Sequence, residues 1–243
     1  MKIRRILNPV AQENTYILEN DTACLVIDPG SDTSSILAEL KAIDKPVAAI
    51  LLTHTHYDHI MSVEAVRQAY NHPHVYVAEA EKDWLMSPID NLSGLPRHDD
   101  MEDVIVNPAE YYFDFTQNYN IEDFQFKVVP TPGHSIGGVS FIFDKEETVF
   151  SGDALFKETI GRWDLPTGNH EQLLTSIQEQ LFTLPNQDMD GIPLLVMRRS
   201  LTHIFHKNKS LSTPTLVSID KLFSRIKKKA DRPSYLKHCS VFI

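Results

Sequence analysis

The chain of 243 residues has a hydrophobic fraction of 42% and a formal net charge of −10, which describe a globular protein rather than a disordered one. The acidic balance disfavours nucleic acid as a partner, because phosphate would be repelled. The two cysteines, Cys24 and Cys239, are too few for a disulfide framework or a cysteine-based zinc site.

The opening residues are basic but are not followed by an apolar segment, so we expect no signal peptide. No apolar run in the sequence reaches the roughly 18 residues that a membrane-spanning helix needs. We therefore expect no membrane partner, a cytoplasmic location and a small molecule as the ligand.

The first part of the chain alternates short apolar runs with helical patterns. Apolar runs at 15–20 and 23–30 precede a helix predicted over 32–43, in which Ile36, Leu37, Leu40 and Ile43 share one face. The run at 46–52 is continuously apolar, as in a strand that is buried on both faces. A second helical pattern follows at 63–70.

The second part begins with a stretch, roughly 86–120, that is rich in Pro, Asp and Asn and predicts a loop with short helical pieces. Strands are predicted from 124, 138 and 148, and a helix from 170 with Leu173, Leu174, Ile177 and Leu181 on one face. This order of elements indicates an α/β domain with sheets covered by helices.

Metal-competent side chains are concentrated where the buried strand at 46–52 ends, in the sequence THTHYDHI at 53–60. Alternate residues of an extended segment point the same way, so His54 and His56 can bind one ion. A turn starting at Tyr57 would direct Asp58 and His59 toward a second ion. Imidazole nitrogen and carboxylate oxygen are zinc ligands, and the spacing therefore predicts two adjacent metals.

Two later segments each place one more possible metal ligand at the end of a predicted strand. His134 lies among glycines, which permit close approach of the backbone to a site. Asp153 follows Gly152 after an apolar strand. A carboxylate between two divalent ions can bridge them and hold them about 3.5–4 Å apart.

The segments HTHYDH, PGHS and SGDALF, with VIDPG upstream and GRWDLPTG downstream, resemble the metallo-β-lactamase-fold superfamily, and within it the hydrolases related to glyoxalase II (hydroxyacylglutathione hydrolase). The resemblance covers about residues 8–193. It implies an α/β fold of four layers, an αββα sandwich, whose site lies at one rim of the two sheets. In this fold we expect Arg162 and Asp164 to order a loop near the site.

The resemblance also implies the ligands of two zinc ions per chain, with iron or manganese as alternative metals. His54, His56 and His134 would hold the first ion, Asp58 and His59 the second, and Asp153 would bridge them. The implied activity is that of a zinc-dependent hydrolase that uses a metal-bound hydroxide on a small thioester or ester. Asp58 would also take the proton from the attacking water.

The family takes a last ligand of the second ion from a Pro-Gly-His segment, but Leu194 and Leu195 stand where Gly and His are expected. Either the site is natively altered, with a weakly held second ion or a substitute in His203 or His206, or a frame slip altered the sequence. The slip would also explain the tail, residues 207–243, where nine basic residues accompany two acidic ones. We accordingly divide the chain into a domain at 1–206 and an atypical basic tail.

Three other functions remain open. The same fold could serve a phosphodiesterase-type hydrolase, a metal-binding protein with a defective second site, or a mononuclear iron dioxygenase, since iron accepts the same ligands. Outside the motifs, we expect His72, His74 and His98 to be solvated loop residues.

Overall fold

The structure is a computed structural model that describes residues 1–184, apart from Asp99, Lys157 and Glu158. The predictions that concern Leu194 and Leu195, the substitutes His203 and His206, the domain boundary at 206 and the basic tail lie outside the described residues. Within the described part of the chain, every helix is too short or too polar to cross a membrane.

In the described part of the chain, the first sheet has six strands, in the order in which they occur along the chain. They are β1 (Lys2–Leu7), β2 (Asn14–Glu19), β3 (Cys24–Ile27), β4 (Val47–Leu51), β5 (His74–Val77) and β6 (Tyr111–Tyr112). The first three strands are antiparallel, and the pairs from β3 to β6 are parallel. Helices α1 (Thr33–Ile43) and α2 (Val63–Ala69) connect the parallel strands β3, β4 and β5.

Both faces of the central strands are buried, as the continuous apolar run predicted. In β3, Leu25 packs in the core between the two sheets, whereas Val26 packs under the helices. In β4, Leu51 likewise packs in the core between the sheets, and Ile50 packs under the helices. This alternation follows from the two-residue period of a strand, and it explains why the run contains no polar residue.

Among the described residues, the second sheet has four antiparallel strands, in the order β10-β9-β8-β7. They are β7 (Asn118–Ile121), β8 (Phe124–Pro130), β9 (Val139–Phe143) and β10 (Thr148–Phe150). A small hairpin, β11 (Leu155–Phe156) and β12 (Thr159–Ile160), follows. Helix α3 (His170–Ser176) continues as a π-helical turn to Leu181 and packs on the outer face of this sheet. The layers are thus helix, sheet, sheet and helix, which confirms the predicted αββα sandwich.

Two predictions about the middle of the chain need correction. The stretch at 86–120 is mostly loop with a short 3₁₀ helix at Pro96–His98, as predicted, but it also contains β6 and the start of β7. Strand β7 was not predicted because NYNI at 118–121 buries only Tyr119 and gives no apolar run. His98 is not solvated: its ring packs 4.8 Å from that of Tyr57 and only 8% of the residue is exposed. His72 and His74 are exposed as expected, although His74 begins β5 rather than lying in a loop.

Candidate metal centre

Three histidines from two loops meet at one end of the sheets. The ring centroids of His54 and His56 are 4.6 Å apart, and that of His134 is 4.9 Å from the first and 4.7 Å from the second. All three residues are buried, and each offers a nitrogen within 4.8 Å of the others. The structure therefore brings together the three side chains that the sequence predicted for one ion.

The other predicted ligands lie next to this group. The Nε2 atom of His59 is 3.5 Å from Oδ1 of Asp153 and 3.6 Å from Oδ2 of Asp58. The second oxygen of Asp153 is 3.6 Å from Nε2 of His134. Asp153 thus faces one histidine of each predicted ion, which is the position that a bridging carboxylate requires.

The local backbone explains how one short segment faces two positions. His56 is extended, with φ −62° and ψ 146°, and the next three residues, Tyr57–His59, form a 3₁₀ turn. His54 and His56 therefore project together, as alternate residues of extended backbone do. The turn places His59 on the other side of His54, with 4.1 Å between their ring centroids, so that His54 lies next to both groups of ligands. The turn predicted to start at Tyr57 is present.

Two glycines allow the loops to approach each other. Gly133 has φ +125°, and a Cβ there would lie 2.3 Å from the backbone nitrogen of Leu173. Gly152 has φ +49°, and its Cβ would lie 2.4 Å from Oγ1 of Thr53. A larger residue at either position would displace the neighbouring His134 or Asp153, since side chains rarely adopt these φ values.

A buried carboxylate orients His59 from behind. Asp28, in the VIDPG segment, accepts hydrogen bonds from the backbone N–H of Thr53 at 2.7 Å and from the Thr53 hydroxyl at 2.6 Å. Its Oδ2 atom is also 3.0 Å from Nδ1 of His59. This contact is an ion pair at short distance, and a carboxylate beside one ring nitrogen favours a proton on that nitrogen, which leaves Nε2 to face a metal.

The segment GRWDLPTG orients His134 in the same manner. The Nδ1–H of His134 donates to the carbonyl oxygen of Arg162 at 2.8 Å, which leaves Nε2 on the side of Asp153. The Arg162 guanidinium forms a two-pronged ion pair with Asp164, with distances of 2.7 and 2.8 Å. The predicted role of this pair in ordering a loop near the site agrees with this geometry.

The donor set fits a divalent metal. Nε2 of His54 is buried and has no hydrogen-bond partner among the described residues, which is rare for a buried polar atom unless an ion or water satisfies it. Nδ1 of His56 and Nε2 of His134 are 3.0 Å apart. Two ligands of a tetrahedral zinc are roughly 3.3 Å apart when each bond is about 2.0 Å, so the two nitrogens need little movement.

The charge states around the site also favour a cation. Burial, reinforced by the neighbouring rings of His59, His56 and His134, holds the pKa of His54 well below its usual value, so that its imidazole is neutral and can donate a lone pair. Burial alone would raise the pKa of Asp153, but the adjacent His59 and His134 hold it below its ordinary range. A carboxylate and a neutral imidazole are the forms that bind zinc. His59 differs, because burial would lower its pKa but Asp58 and Asp28 outweigh burial and raise the pKa well above the ordinary value, so a metal bound there would displace a proton from the ring.

Two side chains at the site were not identified from the sequence. Trp84 stacks on His56 with 6.3 Å between ring centroids and 17° between planes. Glu81 is buried and accepts hydrogen bonds from the loops that carry His54 and His134. Both belong to the segment 78–86, which contains no recognisable motif, so that only the folded arrangement identifies them.

A family model described as the metallo-beta-lactamase superfamily matches residues 8–186. A protein of Streptococcus pyogenes named a probable metallo-hydrolase is 59% identical over 186 residues, which cover 76% of this chain and 80% of that protein. Hydroxyacylglutathione hydrolase GloC of Haemophilus influenzae is 26% identical over 214 residues, covering 86% and 96%.

Solved structures with the same fold include BLEG-1, described as a B3 metallo-beta-lactamase. It has a TM-score of 0.71 and 39% identity, over 76% of this chain and 87% of that one. A second structure, TTHA1623 in a di-iron-bound form, has a TM-score of 0.63 and 29% identity, over 75% and 87% of the two chains.

Proposed function

The chain belongs to the metallo-β-lactamase superfamily as a metallo-hydrolase, and from this premise we propose that it uses two zinc ions to hydrolyse small thioesters of the acylglutathione type. The observation that carries the proposal is the position of Asp153, whose two oxygens face His59 at 3.5 Å and His134 at 3.6 Å. A shared carboxylate of this kind suits a centre with two adjacent ions.

In the proposed centre, His54, His56 and His134 would hold the first ion, Asp58 and His59 would hold the second, and Asp153 would be shared by both. When bound, zinc would lower the pKa of a water to about 7 and polarise the carbonyl group of the substrate. The buried nitrogen of His54, which has no partner among the described residues, supports this assignment of the first ion.

The side chains of the protein then have separate tasks. Asp28 and the carbonyl of Arg162 fix the two rings that face Asp153, so that their Nε2 atoms are held in position. Asp58, whose Oδ2 is 3.6 Å from Nε2 of His59, is the proposed catalytic base that accepts the proton of the attacking water. Positioning of this kind lowers the entropy lost in reaching the transition state.

A thioester suits such a site because a thiolate departs without protonation by a strong general acid. The name of the Haemophilus relative, a hydroxyacylglutathione hydrolase, supports the same class of substrate. Trp84 adds a partly buried aromatic surface beside His56, against which the acyl part of a substrate can pack.

A second candidate function is the hydrolysis of β-lactams. It is favoured by the likeness to BLEG-1, which is described as a B3 metallo-beta-lactamase and is 39% identical to this chain. The bond attacked there is an amide, and its leaving nitrogen requires a proton, which a thiolate does not. A single comparison of substrates distinguishes the two functions.

The test measures metal content and substrate preference on the full chain purified without chelator. We expect about two zinc ions per chain, and a kcat/KM for an S-acylglutathione at least about 100-fold above that for a chromogenic cephalosporin or bis-p-nitrophenyl phosphate. Asp153→Asn should lower both metal content and turnover, whereas Asp144→Asn, an exposed carboxylate beside Lys127, should change neither.

Several outcomes would contradict the proposal. Preference for the cephalosporin would establish the second candidate, and preference for the phosphodiester would establish the phosphodiesterase. Full activity restored to the chelated protein by iron but not by zinc would reject the assignment of zinc. One ion or fewer per chain would mean that the replacement of Gly-His by Leu194 and Leu195 abolishes the second site, and the DNA around codon 195 should then be sequenced.

A further inference from the structure

Glu81 is a buried carboxylate that the proposed reaction does not use. It is the last residue of a 3₁₀ helix, Glu79–Glu81, that follows β5, and it has no exposed surface. Its Oε2 atom accepts hydrogen bonds from the backbone N–H of Thr55 at 2.7 Å and from the Thr55 hydroxyl at 2.9 Å. Its Oε1 atom accepts one from the N–H of Gly137 at 2.7 Å.

The partners of Glu81 lie in the two loops that meet at the first ion. Thr55 stands between His54 and His56, and Gly137 lies three residues after His134. One carboxylate thus bonds to each loop through a different oxygen. Hydrogen bonds to a charged acceptor are roughly twice as strong as those between neutral groups, so this link is a strong one.

The contact with Gly137 depends on the absence of a side chain there. A Cβ on Gly137 would lie 2.7 Å from Cγ and 2.9 Å from Cδ of Glu81. The loop after His134 can therefore approach the carboxylate only because this residue is glycine. The carboxylate and the glycine together set the distance between the loops.

We propose that Glu81 is a positioning residue for the first metal ion, and this inference rests on the metal centre of the proposed function. Glu81 holds the segment of His54 and His56 against the loop of His134, so that Nδ1 of His56 and Nε2 of His134 stay 3.0 Å apart. Partners of this kind, which orient ligands without touching the ion, change metal affinity by about 10- to 100-fold when they are removed.

The substitution Glu81→Gln preserves the shape of the side chain but breaks the link. An amide has one acceptor oxygen and one NH₂ group, so it can accept from Thr55 or from Gly137 but not from both. The NH₂ group would face an N–H donor of the other loop and leave it without a partner. We therefore expect the two loops to separate and the first ion to bind more weakly.

Glu79→Gln is the matched control, because it makes the same change on the same helix. The side chain of Glu79 is 71% exposed, and its carboxylate pairs with Lys82 at 3.5 Å. Both substitutions should be made in an Asp58→Asn background. This change weakens binding of the proposed second ion, so that the affinity for the first ion can be measured. The parent Asp58→Asn protein provides the reference affinity.

The experiment titrates metal-free protein with zinc in competition with a chromophoric chelator, and with cobalt followed by its visible absorption. We expect Glu81→Gln to weaken zinc binding by about 10- to 100-fold and to shift the cobalt spectrum, with Glu79→Gln unchanged. Affinity within about twofold of the reference and the same cobalt spectrum would overturn the inference. If neither the reference protein nor the unmodified chain binds metal, both the proposed function and this inference fail.

A second pair of variants decides the question if Glu81→Gln does not fold. Thr55→Val removes only the hydroxyl hydrogen bond to Glu81, while Thr55→Ser retains it. We expect the valine variant to lose about three- to tenfold in zinc affinity and the serine variant to restore it. Equal affinity in the two variants would overturn the inference, because the contact would then have no influence on the ion.

Discussion

Asp28→Asn provides a sharp test of how the metal centre is held together. Asp28 has φ +48°, a conformation that asparagine tolerates, and the two side chains have the same shape. The carboxylate now accepts from the N–H and hydroxyl of Thr53 and lies 3.0 Å from Nδ1 of His59. The substitution therefore changes the hydrogen-bonding pattern without changing the backbone or the packing.

The expected loss of zinc affinity follows from the chemistry of the amide, which has one acceptor oxygen where the carboxylate has two. If the amide oxygen stays on the N–H of Thr53, the NH₂ group faces Nδ1 of His59 and favours the tautomer with its proton on Nε2. That tautomer cannot bind a metal through Nε2. The other tautomer can, but its Nδ1–H would face the NH₂ group of the amide, so that two donors meet; we expect this to cost about 2 kcal/mol, or roughly 30-fold in zinc affinity. If the amide turns over, the NH₂ group opposes the buried N–H of Thr53, with a similar loss.

The measurement is zinc content and the affinity of the second site, with thermal unfolding of the metal-free protein as a check on folding. Asp44→Asn is the matched control, because Asp44 also has a left-handed backbone, with φ +57°, but is an exposed helix cap. The reasoning is refuted if Asp28→Asn retains two ions at the affinity of the unmodified chain. Loss of both ions in Asp44→Asn would also refute it, because the effect of Asp28→Asn could then come from disturbed folding and not from the contact with His59.

Three further substitutions test the surface, the core and the site. The Lys45 ammonium and Arg4 guanidinium lower the pKa of Glu19 to about 2, so the Glu19 carboxylate stabilises the fold above its ordinary pKa of 4.5, and this stabilisation is lost as the pH falls through about 2. Urea unfolding should show Glu19→Gln about 1 kcal/mol less stable than the unmodified chain at pH 7, with the difference decreasing steadily as the pH falls from 4.5 toward 2; a difference that does not depend on pH would contradict this. Phe141→Ala empties a fully buried position between the sheets and should lower the free energy of unfolding by about 3–5 kcal/mol; a loss below about 1 kcal/mol would contradict this packing. Trp84→Ala should raise KM several-fold with zinc content unchanged, and loss of zinc would show instead that the indole supports the metal ligands.

The features that could be predicted from the sequence are those that depend on local period or on residue type. The alternation of His54 and His56, the turn at Tyr57 and the burial of both faces of β4 follow from the geometry of a strand and the turn that ends it. Each of these inferences needs only neighbouring residues. The approach of Asp153 to His134 is different, because the resemblance to the superfamily, and not a local pattern, implied that the two share one site.

The remaining features depend on contacts between distant residues. Glu79 and Glu81 are two positions apart in one acidic segment, yet one is exposed and the other fully buried. His98 is buried because the loop at 84–98 folds over Tyr57, which no local pattern indicates. Strand β7 pairs with β8 through its backbone, so its exposed asparagines carried no signal of a strand.

The edges of the six-stranded sheet bear on how the protein avoids aggregation. Within the described residues, one edge is β1, which carries Lys2, Arg4 and Arg5, and the other is β6, which has only two residues. Charged side chains on one edge and an extremely short strand on the other both oppose pairing with the sheet of another molecule. Charge-neutral substitutions at Lys2 and Arg5 would therefore promote fibrillar association of the folded chain, without any change at the metal centre.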